Sequence, residues 1–361
     1  MEKQIDYLRK LTDDFGIVQF ANDNNPDIKT GYTIDDVSRA LIVSSKLGIE
    51  DLSEIYFNFV KNAQTYDGGF VNVYSGEKKP LEEIGSEDSL GRTLWALGEY
   101  FSETGKGEEI SFKAIKSLKN KGIHYPISES FALLGLTRMY DAGFERKKTR
   151  NLINKLGNSL VARIKSNSDR KDGWFWVSDE MSYENARIPQ ALFRAHSSLA
   201  NSGFHKYANS LTNFLNESVF EEDSDGKNFL NVVGNNTSGL EGTWYKKGSI
   251  KPKFDEQPVD AGGMIELHSE AYKINGDLSH LNKAEISLDW FYGRNRLGMR
   301  MVSTEGGVYD GLNENRVNPN QGAESLLSYM MAKIKFDETF GKGLYTKEKG
   351  NNHKNKNGLQ K

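Results

Sequence analysis

Six acidic side chains stand at the starts of apolar segments with helical periodicity, and carboxyl groups arranged in this way are suited to acid–base chemistry. The six are Asp36, Asp88, Glu129, Glu184, Asp260 and Glu324. A single acid at a helix start usually caps free N–H groups and opposes the helix dipole. Capping does not require an acid at every equivalent position, so we predict that some of these groups act on a polyol. The catalytic candidates are Asp36, Asp88, Glu184, Asp260 and Glu324.

Two of the helix starts also carry an arginine at helical spacing from the acid. Arg39 follows Asp36, and Arg92 follows Asp88, so each pair can meet on one helix face. A buried arginine keeps a neighbouring carboxylate ionised, which suits a general base or an anchor for sugar hydroxyls. Arg39 and Arg92 are therefore predicted to contact the substrate.

The segment 172–190 combines aromatic rings, an acid and hydrogen-bonding groups. Trp174 and Trp176 are predicted to stack on a sugar ring, although loop aromatics can also plug the end of a core. Tyr183 and Arg187 flank Glu184 and are predicted to bind hydroxyl groups. A carboxyl group near tryptophan faces has its pKa raised by desolvation, so we predict that Glu184 is a general acid.

Amides and acids also cluster at two other predicted helix starts. Gln257 precedes Asp260, and Gly262 and Gly263 then permit a close approach by a ligand or by a second helix. Further along, the polar segments 309–313 and 318–325 either bind several hydroxyl groups of a ligand or form a turn and a helix cap. The remaining substrate-binding candidates are Gln257, Tyr309, Asp310, Gln321 and His124.

Two kinds of predicted helix alternate along the chain and must position these residues. Amphipathic, more polar segments are predicted to form outer helices at about 3–13, 51–63, 108–120, 146–164, 204–217 and 279–293. More uniformly apolar segments are predicted to form inner helices at about 34–47, 87–101, 128–141, 183–200, 259–275 and 321–335. Leu52, Ile55 and Phe59 show the spacing of an amphipathic helix, whereas helices that are apolar nearly all round are buried.

The connections between these helices are asymmetric in length. Those from an outer to an inner helix are long, at 14–33, 64–86, 165–182, 218–258 and 294–320, with hairpin signals at 67–73 and 299–308. If the helical hairpins close into a ring, the long loops, the acidic starts and the positive helix ends share one face. We predict an all-α (α/α)6 toroid over residues 1–340, with short β-hairpins at one face and a disordered polar tail over 341–361.

The composition excludes several classes of protein. The chain has 361 residues, a formal net charge of −3 and no cysteine, so neither a disulfide nor a thiolate nucleophile is available. The pI of about 6.2 and the mean hydropathy of −0.63 favour a cytoplasmic protein without a nucleic-acid or membrane partner. The histidines show no paired ligand spacing, and no nucleotide or dinucleotide fingerprint stands in a suitable context, so we expect no metal and no cofactor. Oligomeric state does not follow from the sequence.

Four motifs, at residues 31–41, 183–192, 257–260 and 320–325, together resemble the six-hairpin glycosidase superfamily. More narrowly, they resemble a group of bacterial and archaeal proteins labelled glycosyltransferase or glycosidase-like. The resemblance spans nearly all of residues 5–335 and implies an (α/α)6 toroid and a carbohydrate substrate. It does not imply one reaction, because lyases and epimerases share the fold. One departure is that Val37 and Ser38 follow Asp35-Asp36, where the resemblance leads us to expect Asn-Ala.

Three functions remain open from the residues. The first is an inverting glycoside hydrolase, with Glu184 or Asp88 as one partner and Asp260, Asp36 or Glu324 as the other. The second is a catalytically silent glycan-binding or scaffold protein that partners a glycosyltransferase. The third, ranked lower, is a sugar isomerase or lyase that uses a His or Tyr base. The candidates for that base are His124, Tyr183 and His268.

Overall fold

The fold is described from a computed structural model of the chain. The structure describes residues 1–168, 173–235 and 244–342. Apart from Gly341 and Lys342, the predicted tail lies outside the described residues.

Helices of two kinds alternate along the described chain, as the sequence predicts. The inner helices are α2 (Ile34–Leu47), α4 (Glu87–Thr104), α6 (Pro126–Asp141), α8 (Arg187–Leu199), α10 (Pro258–Asn275) and α12 (Ala323–Phe340). The outer helices are α1 (Glu2–Leu11), α3 (Glu50–Ala63), α5 (Glu108–Lys121), α7 (Arg146–Asn167), α9 (Ser202–Val219) and α11 (Leu278–Trp290). Each inner helix packs on the next, α12 packs on α2, and every outer helix packs on an inner one. The predicted (α/α)6 toroid is confirmed.

Small residues set how closely the inner helices approach each other. A Cβ on Gly98 of α4 would lie 2.4 Å from the carbonyl oxygen of Gly135 on α6. On α10, a Cβ on Gly262 would lie 2.9 Å from the carbonyl oxygen of Ser328 on α12. Neither distance is tolerated, so glycine is required at both crossings. Gly262, inside α10, thus serves a helix crossing, which is one of the two interpretations given above.

Short antiparallel strand pairs occupy the loops that lead into the inner helices. They pair β1 (Ala21–Asn22) with β2 (Asn25–Pro26), β3 (Tyr32–Thr33) with β4 (Val73–Tyr74), β5 (Glu180–Met181) with β8 (Tyr245–Lys246), β6 (Phe220–Glu222) with β7 (Asn228–Leu230), and β9 (Gly311–Leu312) with β10 (Val317–Asn318). A 3-10 helix spans Ile28–Thr30. At the predicted hairpin segments, isolated bridges join Gln64 to Phe70 and Val302 to Val308. The decorated loops therefore gather at the face where the inner helices begin.

The fourth inner helix begins later than predicted. It starts at Arg187 rather than at Tyr183, and Glu184 adopts a left-handed conformation with φ of 47° in the turn before it. Pro189 explains the difference, because proline is tolerated in the first helical turn but removes a hydrogen bond further inside. Glu184 therefore does not cap this helix, and its side chain is free to point inward.

Among the described residues, no helix combines the length and the apolar character needed to cross a bilayer. The described residues also contain no group of three or more His, Cys, Asp and Glu side chains placed to hold a metal ion.

Candidate functional site

A polar cavity of about 570 Å³ opens where α2, α10 and α12 begin. Its lining residues are Gln19, Phe20, Thr33, Asp35, Asp36, Arg39, Asn72, Val73, Gln257, Asp310, Asn318, Asn320, Gly322, Glu324 and Ser325. Five of the sequence-predicted site residues are among them: Asp36, Arg39, Gln257, Asp310 and Glu324. We refer to this space as the mouth cavity.

Arg39 joins three carboxylates at the base of the mouth cavity. Its Nη1 lies 3.0 Å from Asp36 Oδ1, and its Nη2 lies 2.8 Å from Glu324 Oε2. Nη2 also lies 3.5 Å from Glu184 Oε2. Because contacts of 3.0 and 2.8 Å are made to one planar guanidinium, the two contacting oxygens of Asp36 and Glu324 are at most about 8 Å apart.

The helix start holds Asp36 in place and raises its pKa. Thr33 caps α2 by accepting a hydrogen bond from the Asp36 backbone N–H at 3.2 Å, and its hydroxyl donates to Asp36 Oδ2 at 2.8 Å. Burial raises the pKa of Asp36 to about 6, although the charge of Arg39 opposes the shift. Asp36 is therefore a carboxyl group that changes protonation state near neutral pH.

Asp35 and Glu324 are the more open carboxyl groups of the cavity. Burial raises the pKa of Asp35 against the opposing charge of Arg92, and Asp35 Oδ1 has no hydrogen-bond partner among the described residues. The side chain of Glu324 is 45% exposed, so water has access to it even though Arg39 binds it. Both are placed to meet a ligand.

Glu184 is held as an ion behind the mouth cavity. It lies 2.5 Å from Arg92 Nη1 and 3.0 Å from Arg187 Nε, in addition to its contact with Arg39. Burial opposes the charge, but Arg92, Arg187 and Arg39 together lower the pKa of Glu184 to about 2. The prediction of a raised pKa, and with it that of a general acid, is wrong, because arginines distant in sequence outweigh desolvation.

Asp260 and Asp88 lie close to this centre but do not line the mouth cavity. Burial, and then the charge of Glu184, raises the pKa of Asp260 well above its ordinary range, and Asp260 Oδ2 has no hydrogen-bond partner among the described residues. Asp88 accepts hydrogen bonds from Tyr183, at 2.5 Å, and from Ser128. The structure thus places Asp260 as a buried acid and Asp88 as the acceptor that orients Tyr183.

The two tryptophans do not form a stacking platform. Trp176 is only 1% exposed, and both Trp174 and Trp176 pack against Phe214 of α9. The sugar-stacking prediction is wrong for them, and the alternative of a plug at the end of the core holds. The aromatic ring that lines the cavity is that of Phe20, which is 49% exposed. Phe20 lies in a loop without any pattern that distinguishes it from the other loop aromatics.

The remaining predicted site residues lie outside the cavity lining. Arg92 and Arg187 bind Glu184, and Arg187 also lies 2.9 Å from Glu266. His124 is largely exposed and contacts Glu87. The residues that do not line the mouth cavity are Asp88, Glu184, Asp260, Trp174, Trp176, Tyr183, Arg187, Arg92, Tyr309, Gln321 and His124. Sequence reasoning missed Gln19, Phe20, Thr33, Asp35 and Asn72 as lining residues.

Asp310 stabilises the N-terminal end of α12. Its Oδ1 accepts hydrogen bonds from Gly322 N–H and from the Ser325 hydroxyl, both at 2.8 Å, and burial raises its pKa. The side chain thereby replaces the missing helical partners at this helix start. Asp310 is consequently placed to fix the position of Glu324 as much as to bind a ligand.

No protein-family model and no curated protein matches the sequence. Solved structures do match. A sugar epimerase from a ruminal bacterium has 15% identity and a TM-score of 0.72, over 92% of this chain and 95% of that one. Cellobiose 2-epimerase from Bacillus thermoamylovorans B4167 has 11% identity and a TM-score of 0.72, over 94% and 97%. A family 76 glycoside hydrolase from a bovine Bacteroides thetaiotaomicron strain has 10% identity and a TM-score of 0.66, over 93% and 77%.

These similarities confirm the (α/α)6 fold that the sequence resemblance implies. The similar structures are carbohydrate-active enzymes, and they include epimerases as well as a hydrolase. At these identities the likeness concerns the fold, so the reaction has to be argued from the site of this chain.

Proposed function

We propose that this protein is a glycoside hydrolase whose catalytic pair is Asp36 and Glu324. The observation that carries the proposal is that both carboxyl groups contact the guanidinium of Arg39 within one polar cavity. Inverting hydrolases separate their two carboxyl groups by about 6.5–9.5 Å, leaving room for a water molecule. The contacting oxygens of Asp36 and Glu324 are at most about 8 Å apart, which permits a separation within that range.

The two carboxyl groups have different tasks in this mechanism. Asp36, with a pKa of about 6, is protonated in mildly acidic solution and gives its proton to the oxygen of the departing sugar. Glu324, open to solvent, accepts a proton from the water molecule that attacks the anomeric carbon. The bond between that carbon and the bridging oxygen breaks, and each product carries one new hydroxyl group. Arg39 fixes both carboxyl groups relative to each other.

The other lining residues suit a neutral saccharide. Gln257, Asn318 and Asn320 offer amide donors and acceptors, which can satisfy adjacent hydroxyl groups. Phe20 offers an exposed ring face to the C–H side of a pyranose. Behind the cavity, Arg92 acts through its ion pair with Glu184, and Tyr183 acts through its hydrogen bond to Asp88.

The experiment measures release of reducing ends from a panel of neutral oligosaccharides by the wild type, Asp36→Asn and Glu324→Gln. The proposal predicts activity on at least one member of the panel and a loss of at least about a hundredfold in each variant. Glu314→Gln, which alters an exposed acid outside the cavity, is the matched control and should retain full activity. If Asp35→Asn rather than Glu324→Gln abolishes turnover, neighbouring carboxyl groups do the chemistry and the Asp36–Glu324 assignment fails.

A second candidate is a sugar epimerase or isomerase, and one observation favours it. A sugar epimerase, a D-mannose isomerase and one cellobiose 2-epimerase align with a TM-score of 0.72, although a second cellobiose 2-epimerase aligns with 0.65, against 0.66 for the hydrolase. Such a reaction needs a base that removes a proton beside a carbonyl group. Of the histidines in the described residues, none lines the mouth cavity, and His268 of α10 is hydrogen-bonded to His280 of α11. A carboxylate would have to be the base, which supports hydrolysis as the first choice.

The third hypothesis, a catalytically silent glycan-binding or scaffold protein, predicts saccharide binding without product. Calorimetry with the same panel distinguishes it, because binding by the wild type combined with no turnover at any pH would favour this role over catalysis.

A further inference from the structure

A second concave surface lies on the outer wall, between α5 and α7. It encloses about 530 Å³ and is lined by Phe112, Ile115, Lys116, Lys119, Lys148, Asn151, Leu152 and Lys155. None of these residues lines the mouth cavity. We refer to this surface as the lysine groove.

The lysine groove concentrates positive charge in a chain that is acidic as a whole. The formal net charge of the protein is −3, yet α7 contains no acidic residue. The basic residues of α7 are Arg146, Lys147, Lys148, Arg150, Lys155, Arg163 and Lys165. On α5, the only acids stand in the first turn, at Glu108 and Glu109, and four of the six other exposed residues are lysines, at 113, 116, 119 and 121. A cationic field of this extent attracts an anionic partner.

Most of the lysines on the two sides of the groove are available to bind an anion. Across the described residues, Lys116, Lys119 and Lys155 form no ion pair with any carboxylate. Lys148 pairs with Glu145 at 2.8 Å and lies 4.4 Å from the centre of the Phe112 ring. Binding an anion here therefore requires little rearrangement of existing contacts.

The floor of the groove distinguishes between classes of anion. Ile115 and Leu152 form an apolar base that is already buried, and the apolar group left open is the ring of Phe112, which is 41% exposed at the edge of the groove. A fully hydrated polyanion gains nothing from this ring, whereas an apolar side chain of an amphipathic segment can cover it. The step from Phe112 to Lys119 is about 10 Å along α5, which corresponds to about two turns of a docked helix.

We propose that the lysine groove binds an acidic amphipathic helix of a partner protein. Apolar side chains of the partner cover Phe112, while its carboxylates face Lys116 and Lys119 on one side and Lys155 on the other. This binding is independent of the saccharide chemistry at the mouth cavity.

The test uses a fluorescent synthetic helix with a leucine stripe flanked by glutamates, and anisotropy with the full chain. Its control is a peptide of the same composition in which leucine and glutamate are scrambled around the helix. We expect saturable binding of the amphipathic peptide and binding at least about tenfold weaker for the scrambled one. Raising the salt from about 0.1 M to about 1 M shortens the screening length from about 10 Å to about 3 Å and should also weaken binding.

Variants locate the binding surface. The triple change Lys116→Glu, Lys119→Glu and Lys155→Glu should weaken binding at least about tenfold, because it replaces attraction by repulsion. An equal change of charge at exposed positions elsewhere, with Lys10→Glu, Lys227→Glu and Lys253→Glu, should leave it unchanged. Phe112→Ala tests the apolar floor without altering charge and should also weaken binding.

Several results would overturn the proposal. They are no binding of the amphipathic peptide, equal binding of the scrambled peptide, equal loss in the two triple variants, or no effect of Phe112→Ala. Tighter binding of a sulfated polysaccharide or an oligonucleotide than of the peptide would also overturn it in favour of a general polyanion site.

Discussion

Replacing Glu184 by glutamine should destabilise the protein by about 3 kcal/mol at pH 7. Three arginines surround this buried carboxylate and lower its pKa from an ordinary 4.5 to about 2. A shift of this size corresponds to about 3 kcal/mol of stability. Removing one partner from a buried ion pair costs a similar amount, about 3–5 kcal/mol, because the other charge stays buried without compensation. Part of this loss of stability is offset, because the charge of Glu184 also repels Asp260 and raises its pKa, and the substitution removes that repulsion.

The stability contributed by Glu184 depends on pH in a defined direction. The pKa of Glu184 is lower in the folded state, so its contribution is complete above about pH 5 and fades as the pH falls towards 2. Urea unfolding of the wild type and Glu184→Gln should therefore give free energies of unfolding that differ by about 3 kcal/mol at pH 7, by about 1.4 kcal/mol at pH 3, and that converge only near pH 2. A difference below about 1 kcal/mol, or one that persists unchanged at pH 3, would refute the reasoning.

A matched control separates the central ion from ion pairs elsewhere in the toroid. Glu270 contacts Lys335 at 2.5 Å near the opposite end of the ring, and its pKa is likewise about 2. Glu270→Gln should lose comparable stability but leave the mouth cavity intact. Only Glu184→Gln should also impair turnover, because Arg39 and Arg92 then lose their shared anchor.

Three further predictions follow from the site and the fold. Turnover should fall as the pH rises through about 6, since Asp36 must be protonated to act as the acid, and a pH profile of kcat/KM measures this directly. Phe20→Ala should raise KM by about two- to tenfold with little change in kcat, consistent with the loss of about 0.5–1.5 kcal/mol of stacking, as steady-state kinetics will show. Gly98→Ala should lower stability by about 1–3 kcal/mol in thermal or urea unfolding, because its Cβ would meet the backbone of α6 at 2.4 Å, whereas Gly203→Ala should cost less.

The fold could be predicted because its determinants are local and repeated. Apolar periodicity distinguishes the inner from the outer helices, and the long connections all precede inner helices, which places the decorated loops at one face. Pro189 is the local signal for the late start of α8. The late start places Glu184 in the turn before the helix rather than within its first turn.

The site could be predicted only in part, because its electrostatics depend on contacts across the ring. The i,i+3 pair of Asp36 and Arg39 is visible in the sequence and is present in the structure. The contact between Arg92 and Glu184 joins two different helix starts, so no spacing rule identifies it. Burial of Trp176 against α9 is equally invisible, because a loop aromatic can face either the core or a ligand.

The most direct test of the central claim is a ¹H NMR time course in D2O with an oligosaccharide that the wild type consumes. If Asp36 and Glu324 form an inverting pair, new reducing-end signals will grow first in the anomer opposite to that of the cleaved bond. Carbon-bound protons beside the anomeric centre will not exchange with solvent. Exchange of those protons without cleavage, or first appearance of the same anomer, would contradict the account.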